Sequence, residues 1–215
     1  MNDLQVIKLI ENEFKNKTLG ATEQYLEIHS PVYSDNQLKI ERIDREQNGK
    51  LIIVYVPVSG ERFYFAVYID IEKNEIVNVG TEAKISVYFR ADSAEFTLTE
   101  LCKWTNLKST GGRNKGDERR NGILWKESTV LFEPNPEPDE FEDKLNKLLT
   151  FLEKDRVGIS KLVEKANGYI QVALEFHNGN TMLGGPHIDK KAIERMNSLG
   201  VSINFDLYAG GKSFK

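Results

Sequence analysis

The sequence predicts an α+β protein of two small domains. In the first, an N-terminal helix packs on a curled antiparallel sheet; in the second, a mainly antiparallel sheet of about four strands carries helices on one face. Three observations predict this. Helical stripes and two-residue alternation take turns along the chain, the two periods that separate amphipathic helices from half-buried strands. The strand pattern stops near residue 82 and begins again, which sets the expected domains at 1–83 and 84–215. The 215 residues, 40% of them hydrophobic, are enough to bury two small cores.

The first helix is expected over 3–16, where Ile7, Ile10 and Phe14 recur at helical spacing and Val6 widens the stripe, with Gly20 as its stop. Three or four strands follow, over 37–44, 50–58, 62–71 and 75–79. Their turns carry Asn48-Gly49, Ser59-Gly60 and Lys73-Asn74, small or left-handed-tolerant residues of the kind tight hairpins require. A helix followed by such a meander buries both apolar faces when the sheet wraps around the helix. That arrangement is similar in pattern to cystatin-like folds.

Past residue 82, Ile85, Val87 and Phe89 alternate with Ser86, Tyr88 and Arg90, a strand buried on one face. Thr97 and Glu100 have capping-box spacing, so a short helix runs to about Trp104. A Gly- and Arg-rich loop is expected over 109–122 and a strand over 124–132. Pro134, Pro136 and Pro138 remove backbone donors and make a linker. The helix after it shows Phe141, Leu145, Leu148, Leu149 and Leu152 on one face, and continues or kinks near Gly158 before Ile159, Leu162 and Val163. Ile170, Val172, Leu174 and Phe176 make a strand; Asp189 caps a helix carrying Ile193 and Met196, which Gly200 stops; Val201, Ile203, Phe205 and Leu207 make the last strand. Alternation in every strand argues for a sheet open on one face.

The order of elements in the last third, closing on Phe205-Asp206-Leu207-Tyr208, with Gly116-Asp117 and Trp125 upstream, resembles a bacterial family known only as domain of unknown function 4279. The resemblance spans about residues 84–215. It implies an architecture and no reaction.

Charge and composition narrow the function classes. The formal net charge of -4 divides unevenly, into -5 over residues 1–83 and +1 over the rest. An acidic surface repels nucleic acid and favours basic partners. Apolar runs such as 51–58 are far short of a membrane span, which needs ~20 residues, and the chain opens on an amphipathic helix rather than a signal segment. A cytoplasmic location is therefore expected. The single cysteine, Cys102, forms no internal disulfide and reads as a buried thiol.

Strand periodicity gives the open sheet face Tyr88, Arg90, Glu175, His177, Asn204, Asp206 and Tyr208. An acid, an imidazole, a guanidinium and phenols could bind a polar ligand or move protons; the same residues also suit an ordinary solvated face. Lys108, Arg113, Lys115, Arg119 and Arg120 crowd the Gly-rich loop, enough cations to clamp a phosphate or an acidic surface. That loop lacks the Gly-Lys-Ser/Thr ending of a Walker loop, and Asp117 and Glu118 neutralise part of it, so an exposed mobile loop is the plainer reading. Gly116-Asp117 and Trp125 read as a turn and a core anchor, with one ring edge left wet beside Lys126.

Glu133, Glu137, Asp139, Glu140, Glu142 and Asp143 gather at a helix start, where the dipole favours carboxylates. The alternative is a docking surface for a basic protein. His29, His177 and His187 lack zinc spacing, and no nucleophile elbow or calcium loop is present in the sequence. Gly- and Asn-rich segments at 178–180 and 184–186 are expected to make a long loop or hairpin whose tip could approach the sheet edge. With no catalytic set, metal or cofactor expected, the leading function is a non-enzymatic protein-binding module, in the class of immunity proteins that occlude a basic toxin. The candidate binding residues are Arg90, Arg113, Lys115, Arg119, Arg120, Trp125, Glu175, His177, Asn204, Asp206 and Tyr208. The alternative is a small-molecule or nucleotide-binding enzyme on the open face; nucleic acid is disfavoured because aromatics do not interleave with the loop cations.

Overall fold

A computed structural model describes residues 1–46, 50–119, 121–179 and 185–214. The Asn48-Gly49 turn and Arg120 lie outside the described residues, as do residues 180–184 of the connection after Gly179. The chain begins with α1 (Asp3–Asn16), capped by the Asn2–Gln5 capping box and burying Val6, Ile10 and Phe14. Lys17 closes it in the left-handed region. Gly20 does not end this helix but opens an unexpected second one, α2 (Gly20–Ile28). A two-stranded turn pairs β1 (Tyr33–Ser34) with β2 (Gln37–Leu38), and β2 and β3 (Arg42–Asp44) share the region 37–44 that was expected to be one strand. β4 (Leu51–Pro57), β5 (Phe63–Asp70) and β6 (Glu75–Ser93) complete an antiparallel curl over α1 and α2.

β6 is the central element. Its residues 75–83 pair with β5, and the same strand then runs on through residues 84–93 to pair with β8 (Ser128–Phe132) and β9 (Tyr169–His177). Residues 80–84 hold one strongly apolar side chain at most, which is why the pattern reads as a break; the backbone bonds continue through it. Between β6 and β8 lie α3 (Leu98–Cys102), with the Thr97–Glu100 capping box in place, and β7 (Gly111–Arg113).

After β8 come the helices α4 (Phe141–Leu152), α5 (Arg156–Ala166) and α6 (Lys190–Leu199). The bend between α4 and α5 is a 3-10 turn at Glu153–Asp155, before Gly158. The Gly158 Cα lies where an added Cβ would sit 2.7 Å from the Trp104 carbonyl oxygen, so a bare backbone lets α5 dock there. These helices cover the face of β6 and β9 that carries Val87, Phe89, Ile170 and Val172, as the alternation predicts. Within α6, Met196 is buried but Ile193 faces out.

The last strand, β10 (Ile203–Gly210), pairs with β9 in parallel and has no neighbour on its other side among the described residues. It was expected to bury alternate residues. As an edge strand it leaves Phe205 and Leu207 exposed instead, while Val201 just before it is buried. No described helix is long and apolar enough to cross a membrane.

Candidate functional site

Two places on the molecule combine charge, aromatic rings and concavity. The first is the open face of the sheet. Strand register puts Asp92, Thr129 and Arg113 in one cross-strand row and Arg90, Leu131 and Tyr169 in the next. Tyr88, Gln171 and Asn204 make a third row, and Lys84, Glu175 and Tyr208 another. The predicted residues Arg90, Glu175, Asn204, Asp206 and Tyr208 therefore do share a face. His177 does not join them. It is 1% exposed, packed among Tyr25, His29, Phe63 and Phe214, and its Nε2 lies 2.8 Å from the Lys212 carbonyl. Glu175 is tied to Arg62 at 3.0 Å across the two halves.

At one end of this face the expected Gly- and Arg-rich loop is a hydrogen-bonded hairpin. Gly116 donates to the Trp125 carbonyl, Trp125 donates to that of Asp117, and Arg119 donates to that of Ile123. The strand expected from residue 124 is reduced there to a single bridge between Glu118 and Leu124, and regular pairing starts at Ser128. Lys115 points back, its Nζ donating to the Ala94 carbonyl at 3.0 Å.

The hairpin brings two guanidiniums onto one indole. Arg113 Cζ lies 3.4 Å and Arg119 Cζ 3.7 Å from the Trp125 ring centroid. Two planar cations that close to one ring cannot share a side, so the indole is held between them. Trp125 is thus half-buried by arginine and is absent from the apolar core it was expected to anchor. Such contacts contribute ~0.5–2 kcal/mol each, depending on desolvation. Behind the sandwich, Arg90 Nε donates to Asp92 Oδ2 at 2.6 Å while Thr129 donates to Asp92 Oδ1 at 2.6 Å. Burial pushes the Tyr88 and Tyr169 phenols up, with Arg90 opposing, so both stay protonated donors at neutral pH.

The second place is a cleft of about 430 Å³ where the two halves meet. Ile85, Phe141, Leu174, Phe176 and Leu207 supply an apolar floor, and Glu82, Glu140 and Glu142 supply carboxylates. Helix-start acids usually satisfy the free amides of the first turn. Glu140, at the N-cap of α4, makes no such side-chain bond. Burial, then the charges of Glu82 and Glu142, push its carboxyl up to about 6. Glu82 accepts from the Tyr68 hydroxyl at 2.6 Å, and Glu142 accepts from the His187 amide at 2.9 Å. The neighbouring Asp139 has a structural task. Burial raises its pKa, but bonds from Lys147 and the charge of Arg42 outweigh that and hold it low.

Of these cleft residues, sequence reading placed Glu140 and Glu142 in an acidic run and missed Glu82. Glu82 and Glu140 stand 58 positions apart in the chain, and no local pattern links them. Among the described residues no group of three or more His, Cys, Asp or Glu could hold a metal ion. Cys102 is half-buried, its Sγ 3.6 Å from Ser109 Oγ. A family model described as a domain of unknown function, DUF4279, matches residues 82–210. No curated protein and no solved structure matches the chain.

Proposed function

The chain belongs to the DUF4279 family, whose description carries no reaction, and from the geometry of the junction cleft we propose that it is a non-enzymatic binding module for a basic protein partner. A cytoplasmic bacterial immunity protein that occludes a cationic toxin surface is the specific form of this proposal. One observation carries it: Glu140 leaves the amides of its own helix uncapped and faces a cleft beside Glu82, where its carboxyl is pushed up to about 6. Two carboxylates lining one cleft repel one another. A lysine or arginine side chain entering the cleft relieves that repulsion, while its methylene stem packs on Leu174, Phe176 and Leu207. The acidic balance of residues 1–83 adds steering toward the same partner.

The test is capture of a cationic partner by the wild type and by a Glu82→Gln, Glu140→Gln double variant at low salt. A stoichiometric complex that the double variant weakens by ~2 kcal/mol or more, about 30-fold, supports the cleft as the dock. Affinity is expected to fall as pH is lowered through about 6, because only ionised Glu140 attracts the cation. Binding that is equal in the two proteins, or no complex at any low-salt condition, removes the proposal. The second reading, a small-molecule site on the open sheet face, draws on the arginine sandwich.

A further inference from the structure

We propose that Arg113 and Arg119, stacked on Trp125 with Arg90 behind them, form a binding site for a phosphate-class oxyanion. This does not rest on the cleft reading, since it uses other residues at a different place on the sheet.

The first support is the charge account. Arg90 is neutralised by Asp92. Arg113 and Arg119 make no side-chain hydrogen bond and no ion pair with any described residue, and both Nε atoms are buried against the hairpin without a partner. The nearby acids are otherwise occupied or stand off. Asp92 serves Arg90 and Thr129, and Asp117 accepts from the Asn114 amide at 2.7 Å. Glu118 and Glu127 are exposed and make no ion pair with either arginine. Burial, then the field of Arg90 and, less strongly, of Arg119, lower the affinity of Arg113 for its own proton, against the pull of Asp92 and Glu127. Two guanidiniums without an ion-pair partner among the described residues, held beside a third, cost free energy that a bound anion recovers.

The second support is preorganisation. A guanidinium carbon 3.4 Å from an indole centroid leaves no room for a steep tilt, so each fork lies nearly flat on the ring. Its terminal N–H groups then point sideways past the ring edge. Stacking on both sides fixes the two forks before any ligand arrives, which removes most of the side-chain entropy that binding would otherwise cost. Forks held on opposite faces of one ring are bridged best by a ligand with oxygens directed to both. A tetrahedral phosphate has them, and a carboxylate, with two oxygens in one plane, meets a single fork. Tyr88 and Tyr169 extend neutral donors along the same face, and neither hydroxyl bonds to another described residue. Next to them an open depression of about 330 Å³, lined by Tyr88, Thr110, Gly111, Leu131, Glu133 and Pro136, leaves room for the organic part of a phosphomonoester.

Trp125 itself reports on the site. The chain has two tryptophans, so Trp104→Phe leaves Trp125 as the sole indole. Inorganic phosphate and AMP are titrated into this protein against potassium chloride of matched ionic strength while its fluorescence is read. Calorimetry on the wild type repeats the titration without any substitution. A saturable change with phosphate or AMP, absent with chloride, is expected. AMP binding more tightly assigns a phosphomonoester, and equal affinities assign the bare oxyanion. Arg113→Gln and Arg119→Gln are each expected to weaken binding at least about tenfold, the scale of one lost charge-assisted hydrogen bond. Arg113→Lys, which keeps the charge and loses the fork, is expected to weaken it as well, and Lys8→Gln, at an exposed position of α1, to leave it unchanged. Circular dichroism establishes that each variant is folded. No saturable signal in either assay, an equal response to chloride, or unchanged affinity in folded Arg113→Gln overturns the assignment.

Discussion

His29 and His177 meet ring to ring at 4.8 Å under the junction, 6% and 1% exposed, with His29 Nε2 and His177 Nδ1 making no hydrogen bond to any described residue. Burial, then the neighbouring His177 and the charge of Lys212, push the His29 pKa down, against the charge of Glu61 and the Lys212 backbone. The unfolded chain therefore binds a proton more readily than the folded one, and stability rises with pH. This contribution is intact above the unfolded value near 6.5 and is lost as pH falls toward the lower folded value, with a slope of at most about 1.4 kcal/mol per pH unit for one proton. Glu140 acts with the opposite sign: its raised folded pKa makes the protein more stable as pH falls from about 6 toward 4.5. The two oppose in one window, so the histidine is isolated by difference. Denaturation of the wild type and His29→Phe between pH 5 and 7 is expected to show a flatter decline on acidification in the variant. Parallel curves would mean that His29 carries no proton across the transition.

Elements whose signals are local were readable in the chain: the 3.6-residue stripe of α1, the Thr97–Glu100 box of α3 and the Leu145–Leu152 face of α4 all formed as expected. What was unreadable depends on distant partners. β10 has the alternation of a buried strand, yet its exposure follows from being last in the strand order. Trp125 looks like a core residue until the hairpin register delivers Arg113 and Arg119 to its faces. The α4–α5 bend is similar, because Asp155 organises it through long-range bonds. Its Oδ1 accepts from the Gly158 amide at 3.0 Å, while Oδ2 accepts from the Thr105 hydroxyl at 2.8 Å and the Asn106 amide at 2.6 Å. One carboxylate thus caps α5 and pins it to the segment after α3. Asp155→Ala is expected to destabilise by about 2–3 kcal/mol, the sum of a lost cap and two stranded donors. In urea the midpoint should drop with the slope unchanged; a loss below about 0.5 kcal/mol, the range of an ordinary surface change, would show that water replaces it.

At the scale of the molecule the question is whether two cores behave as one. The apolar clusters are separate: Val6, Ile10, Val54 and Phe65 belong to the first, and Phe89, Phe132, Leu148 and Ile170 to the second. Yet β6 contributes Val79 to one and Val87, Phe89 and Ala91 to the other along a single backbone. A second tie is the buried ion network in which Arg42 of β3 holds Asp139 at 2.9 Å and donates to the Pro138 carbonyl, while Lys147 of α4 holds the same Asp139 at 2.7 Å. Melting either half would strip β6 of half its partners and break the Arg42–Asp139 pair, leaving Asp139 with Lys147 and Arg42 with Asp44 and Glu46. Both penalties favour one cooperative transition. Phe65→Ala and Phe89→Ala, each expected to cost about 3–5 kcal/mol as large buried rings leave cavities, should therefore lower the midpoint of the same calorimetric peak. If Phe65→Ala moved one peak and left a second in place, β6 would be a covalent link between independently melting units, and the ion network too weak to couple them.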